Sequence, residues 1–96
     1  MVKREITVMR KRLATLRRQL EAVGPVMRGS VVVIGTRNKQ PYFSLNKDKK
    51  TRLIYLGKKR EALARQYSEN HKKLLAIVEE MTIINMKLLK EDACLD

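Results

Sequence analysis

Over the first two dozen residues the apolar positions recur at alternating spacings of three and four: Ile6, Met9, Leu13, Leu16, Leu20 and Val23. This is a heptad seam with Ile6, Leu13 and Leu20 at a and Met9, Leu16 and Val23 at d. Nearly every other position is polar or basic. So narrow a stripe predicts a helix over residues 1–23 that buries it against one partner helix. Gly24-Pro25 ends that helix, because glycine tolerates a left-handed cap and proline cannot continue the ladder. The positions flanking the seam are Glu5, Arg10, Arg12, Arg17 and Gln19. Three arginines would repel a parallel copy of the same helix, so an antiparallel partner with acidic flanks is expected.

The second long pattern supplies that partner. Residues 58–91 contain no proline or glycine. Leu63, Tyr67, Leu74, Ile77, Met81, Ile84 and Leu88 keep the same spacing, with Asn70 as a polar intruder. Leu75, Val78 and Leu89, with Ile83 and Met86 nearby, add a second stripe and widen the apolar face. Glu61, Glu69, Glu79 and Glu80 stand available to the arginines of the first helix. At ~1.5 Å per residue, residues 2–23 span roughly 33 Å and residues 58–91 roughly 51 Å. A hairpin would leave roughly 18 Å of the second helix for the β segment or another subunit to cover. A homodimer through the C-terminal helix is therefore expected.

Between the helices the period changes. Ser30-Val31-Val32-Val33-Ile34 is a β-branched run, Gly35 to Pro41 a punctuated turn, and Tyr42-Phe43-Ser44-Leu45-Asn46 a second strand. Lys47-Asp48-Lys49-Lys50 reads as a turn, Thr51 to Leu56 as a third strand, and Gly57 breaks it. Connections this short force an antiparallel meander. It needs a cover, which the wide face of the second helix offers. The fold class is α+β: a long N-terminal helix, a three-stranded antiparallel meander and a long C-terminal helix, the two helices packed as an antiparallel coiled coil. One domain spans residues 1–96, with the coiled-coil helix at 1–23, the meander at 28–57, the long helix at 58–91 and a frayed acidic tail at 92–96.

Three motifs stand in the meander: Arg28-Gly29-Ser30-Val31, then Pro41-Tyr42-Phe43-Ser44-Leu45, then Thr51-Arg52-Leu53-Ile54-Tyr55-Leu56-Gly57-Lys58. With the helix that follows, they make residues 28 to about 90 resemble a family of short prokaryotic proteins of unknown function. That family has a Gly-Ser-Leu start, a His-Gly-Pro-Tyr-Tyr-Tyr-Leu strand and a Thr-Arg-Tyr-Val strand before its C-terminal helix. Its cysteine cluster, between the first two strands, is absent here, and the short loop Gly35–Gln40 holds neither Cys nor His. The resemblance implies the meander followed by a helix and implies no activity.

Charge changes the picture most. The 96 residues carry 22 basic and 10 acidic side chains, a net +12. Residues 1–23 are net +5, residues 24–60 net +9 and residues 61–96 net −2. A block of like charge repels itself unless a polyanion or counterions screen it. Non-catalytic, electrostatic binding of nucleic acid through its phosphate backbone is thus the expected function. The alternative is an oligomerisation or scaffold protein of unknown partner whose charge only keeps it dissolved. The expected nucleic-acid contacts are Arg37 and Lys39 in one turn, Lys47, Lys49, Lys50 and Arg52 in and beside the next, and Lys58 and Lys59, which with Arg60 open the second helix. Cations there oppose the helix dipole, a local cost that a phosphate would relieve. Tyr42 and Tyr55 would stack on bases if they faced outward, but the favoured reading packs both in the small core. Arg10, Lys11, Arg12, Arg17 and Arg18 form a second basic stretch, read as a solvated outer face with a phosphate-tracking ridge as the alternative.

Catalysis is poorly served, and no enzyme activity is expected. The single histidine, His71, lies mid-helix beside Asn70 and Lys72. The single cysteine, Cys94, lies in an acidic tail that would raise a thiol pKa. One cysteine forms no intrachain disulfide and no Cys-based zinc cluster. No cofactor, metal or small-molecule substrate is implied. No apolar run approaches the ~20 residues that span a bilayer, and no apolar signal-peptide region follows the basic start, so a cytoplasmic location is expected.

Overall fold

The structure, a computed structural model, describes residues 3–91. The expected acidic tail 92–96, with Cys94, lies outside the described residues, as do residues 1–2. The elements run α1 (Lys3–Ala22), β1 (Ser30–Ile34), β2 (Gln40–Lys47), β3 (Lys50–Tyr55) and α2 (Gly57–Lys90). This is an α+β chain in the order helix, meander, helix, as the change of period predicts. The strands form one antiparallel sheet in the order β1-β2-β3.

Both β turns are tighter than the sequence reading makes them. β2 takes in Gln40, Pro41 and Lys47, because pairing with β1 continues to Ile34↔Gln40 and pairing with β3 to Lys47↔Lys50. The turn from β2 to β3 is only Asp48-Lys49, with φ of 54° and 62°. Two left-handed residues make a type I′ turn, whose twist matches that of the flanking strands. Pro41 is tolerated in the central strand because the β2–β3 register begins one residue later, at Tyr42↔Tyr55. The Leu56 amide still donates to the Pro41 carbonyl at 3.1 Å. Proline has no N–H to return to the Leu56 carbonyl. Arg60 reaches back and donates to that carbonyl from Nε at 2.8 Å.

The chain divides into two compact units that share α2: Gly24–Lys72, and α1 with the helix from Lys73 onward. In the second of these, Leu16, Ile84 and Leu88 form the buried core, with Ile6, Met9, Leu13, Ile77 and Met81 packed around it. Ile6, Met9, Leu13 and Leu16 of the α1 seam thus meet Ile77, Met81, Ile84 and Leu88 of α2. Arg12 forks onto Glu80, Nη2 to Oε1 at 2.9 Å and Nε to Oε2. Of the acidic residues expected to serve α1, Glu61 and Glu69 pair instead within α2, with Arg65 and Lys72.

In the unit Gly24–Lys72, strand alternation puts Pro41, Phe43 and Leu45 on the covered face of β2. Phe43, Leu56 and Ala64 are buried together, with Met27, Val31 and Leu45 against them. The helix residue facing the sheet is therefore Ala64. Leu63, expected in the α1 seam, is 51% exposed. Three polar ties hold the segment after α1 along α2. Asn70 Nδ2 donates to the Pro25 carbonyl at 2.9 Å while its Oδ1 accepts from Gln66. The Met27 amide donates to the Tyr67 carbonyl at 3.2 Å, and Ser68 Oγ to the Gly29 carbonyl at 2.8 Å.

The second stripe of α2 is exposed. Leu75, Val78, Ile83, Met86 and Leu89 are between 46% and 63% exposed. No helix among the described residues is long and apolar enough to cross a membrane.

Candidate nucleic-acid interface

The register decides which cations share a surface. In a β1-β2-β3 meander the first loop and the second turn lie at opposite ends of the sheet. β2 is eight residues long, so its ends are roughly 23 Å apart at ~3.3 Å per residue. Arg37 and Lys39 lie in the loop before Gln40. Lys58 and Lys59 share their end, because β3 finishes at Tyr55 opposite Tyr42 and α2 starts two residues later. Lys47, Lys49, Lys50 and Arg52 gather at the other end, around the Asp48-Lys49 turn. The eight cations expected on one side therefore form two groups of four. The short connections that predict the meander also force this separation.

The turn end is the denser group. Lys47 and Lys50 are direct cross-strand partners, and Arg52 opposite Leu45 points to the same face by alternation. Like charges directly opposite one another destabilise a ladder. A bound anion would reverse that cost. Arg28 joins them: its Nη1 donates to the Asn46 carbonyl at 3.0 Å. Arg28 is not among the cations expected here, because only the register of β1 on β2 brings it to this end. Extending the Ser30↔Ser44 register by two residues sets position 28 opposite Asn46. Asp48 is the one acidic residue between Gly24 and Arg60.

The loop end is plainer. Lys58 and Lys59 are exposed in the first turn of α2, which contains no acidic residue. Arg60 is committed elsewhere, with Nη2 donating to the Tyr55 carbonyl at 3.0 Å besides its bond to Leu56.

The two tyrosines are not in the core as expected. Alternation turns Tyr42 and its partner Tyr55 to the face opposite Phe43. Their rings meet edge to face, with centroids 5.5 Å apart and planes at 66°. Tyr55 Oη donates to Gln40 Oε1 at 3.2 Å, and the residue is half exposed. Leu53 and Ile34 extend the same open face.

On α1, Arg12 is taken by Glu80. The hydrogen bond and then the charge of Arg12 hold the Glu80 carboxyl below its ordinary pKa. Arg18 Nη2 donates to Thr15 Oγ1 at 3.4 Å. Arg10, Arg17 and Arg18 line an open groove together with Leu13, Met81 and the acidic Glu21. His71 is half-buried on α2. Among the described residues no cluster of His, Cys, Asp or Glu side chains would hold a metal ion.

Comparison with family models, with curated proteins and with solved structures finds no match for the chain.

Proposed function

We propose that this protein is a non-catalytic, electrostatic nucleic-acid-binding protein. It reads the phosphate backbone and not the bases. The observation that carries this reading is the turn end of the sheet, where Arg28, Lys47, Lys49, Lys50 and Arg52 converge around a two-residue turn. Lys58 and Lys59 with Arg37 and Lys39 form a second, weaker contact. The protein acts in the cytoplasm as a homodimer joined through the exposed stripe of α2, with α1 and α2 in an antiparallel coiled coil. Kinship of residues 28–90 with the short prokaryotic family resembled in sequence belongs to the same proposal.

The test is a salt-titrated binding assay with duplex DNA, single-stranded DNA and RNA. On duplex DNA, log affinity should fall with log salt at a slope of about −0.9 per phosphate neutralised. Replacing Lys49 and Lys50 by alanine should weaken every sequence alike and reduce the slope by about two. Replacing Lys58 and Lys59 should do less. No binding at low salt ends the proposal and leaves the second reading, an oligomerisation or scaffold protein, which the exposed apolar stripe of α2 favours. Binding with no slope change after the Lys49 and Lys50 replacement moves the site to Arg10, Arg17 and Arg18 on α1, where Arg12 is held by Glu80.

A further inference from the structure

β3 is an edge strand in which all six residues are exposed. Among the described residues no further strand pairs with its outer side. The ladder parity shows which of its backbone groups face outward. The Leu56 amide bonds to the Pro41 carbonyl, so by alternation the register pairs 43/54, 45/52 and 47/50 are the hydrogen-bonded ones. Thr51, Leu53 and Tyr55 then direct their N–H and C=O groups away from β2. The Tyr55 carbonyl agrees, because it points away from the sheet to accept from Arg60. Edge strands are commonly blunted by a bulge, a proline, charged side chains or a covering segment. β3 has neither bulge nor proline, its charges Lys50 and Arg52 lie toward the turn end, and Leu53, Ile54 and Tyr55 beyond them are 49%, 57% and 50% exposed.

Beside this edge, on the helix side of the sheet, lies an open groove of about 620 Å³. Phe43, Leu45, Ile54 and Met27 give it apolar walls. Its polar lining is cationic: Arg28, Lys47 and Arg52. Apolar walls carrying charge of one sign focus the field on a ligand of opposite sign.

We propose that β3 is a docking edge for an extended acidic segment of a partner protein, which adds to the sheet as a fourth strand. Its backbone pairs with the outward groups of Thr51 and Leu53. Its acidic side chains point into the groove toward Arg52, Lys47 and Arg28. The apolar side chains between them cover Leu53 and Tyr55 on the open face. Main-chain bonds supply affinity in this mode, and alternate side chains supply selection. Arg28, Lys47 and Arg52 also belong to the proposed phosphate contact, so peptide and nucleic acid would compete for them, but the backbone pairing at β3 does not depend on nucleic-acid binding.

The probe is a fluorescein-labelled peptide of valines with aspartate at every second position, followed by fluorescence anisotropy without nucleic acid. Saturable binding is expected. Leu53→Pro should weaken it at least about tenfold, because it deletes an outward N–H and leaves the β2 ladder whole. Circular dichroism checks that the variant folds. A second arm keeps the wild-type protein and methylates alternate peptide nitrogens, which removes the donors that face β3. Binding should be lost there and kept when the methyl groups are moved by one residue. Arg52→Glu should weaken the aspartate peptide and spare its asparagine analogue. No binding at low salt overturns the proposal. So does binding that salt abolishes but Leu53→Pro and both methylated peptides leave unchanged, since the groove is then only a polyanion contact. Dimerisation that Leu53→Pro abolishes also overturns it, because a second copy then occupies the edge.

Discussion

Asn70 breaks the apolar stripe of α2 where the stripe changes task. It is buried, and its amide satisfies the Pro25 carbonyl while accepting from Gln66. A leucine there would leave that carbonyl without this donor, which is the costly way to lose a hydrogen bond. Gly29, next to the same ties, is constrained by space and conformation together. Its φ is +145°, and an added Cβ would lie 2.5 Å from the Ser44 carbonyl oxygen and 2.7 Å from Phe43 Cζ. Gly29→Ala must push the backbone off the sheet or Phe43 out of the core. We expect it to destabilise by ~1–3 kcal/mol in urea unfolding, and a change under about half a kcal/mol would show that the close approach is absent. Glu80 offers a pH test. Its carboxyl pKa is lowered in the folded chain by the hydrogen bond from Arg12. A lowered carboxyl contributes stability above its unfolded value, ~4.3, that is lost as pH falls through the folded one. Glu80→Gln should therefore melt below the wild type at neutral pH, and the two curves should converge in acid below about pH 4. Because the pair is exposed, the difference should be small and should shrink with salt. Curves that stay apart in acid would mean the substitution acts through packing.

Among the elements, α1 has the clearer sequence signal and α2 the more divided role. The 3/4 spacing of α1 faces one partner, and Leu16 at its centre is 1% exposed. Leu16→Ala should cost ~2–5 kcal/mol. Leu63→Ala, on an exposed position of α2, should cost under about half a kcal/mol. Equal costs in thermal or denaturant unfolding would undo this division of the helix. The division also shows where sequence reasoning stops. Period 3.6 and period 2 distinguish helix from strand, and connection length makes the meander antiparallel, so the element order is legible without coordinates. Periodicity alone does not say which partner a stripe meets. Leu63 continues the seam in sequence, yet in its unit Ala64 faces Phe43, because a small residue lets the sheet lie close to the helix. Turn lengths escape periodicity for a different reason. Asp48 suits a left-handed conformation but Lys49 stands where glycine usually does, so the composition marks a turn without marking its I′ type. The candidate site suffers most from this. Its residues are right for polyanion binding, but their division between two ends follows from register. Arg28 enters the site only once β1 is paired.

For the whole molecule, two surfaces remain unaccounted for by a single folded chain, and they differ in chemistry. One is cationic, with residues 24–60 at net +9. The other is the apolar stripe on the second half of α2. Leu75 to Leu89 covers fourteen residue steps, or roughly 21 Å of helix at ~1.5 Å each. Single exposed leucines are ordinary, but five large apolar side chains on one stretch of helix mark an interface. The flanking charge is mixed, with Glu79 among Lys72, Lys87 and Lys90, so a second copy meets no one-signed barrier of the kind α1 would present. We expect sedimentation at micromolar concentration to give a dimer. The discriminating variant combines Met86→Glu with Leu89→Lys, which leaves net charge unchanged. Both residues are at least 60% exposed in the single chain, so the change should spare the fold. Helicity by circular dichroism should stay constant while the sedimenting species becomes a monomer. The phosphate binding proposed for the β unit should survive in the monomer with lower apparent affinity, because joining two sites in one particle raises the effective concentration of the second. A wild-type chain that sediments as a monomer at every concentration tested would refute the dimer. A variant that stays dimeric would place the interface elsewhere, with the open edge of β3 the first position to examine.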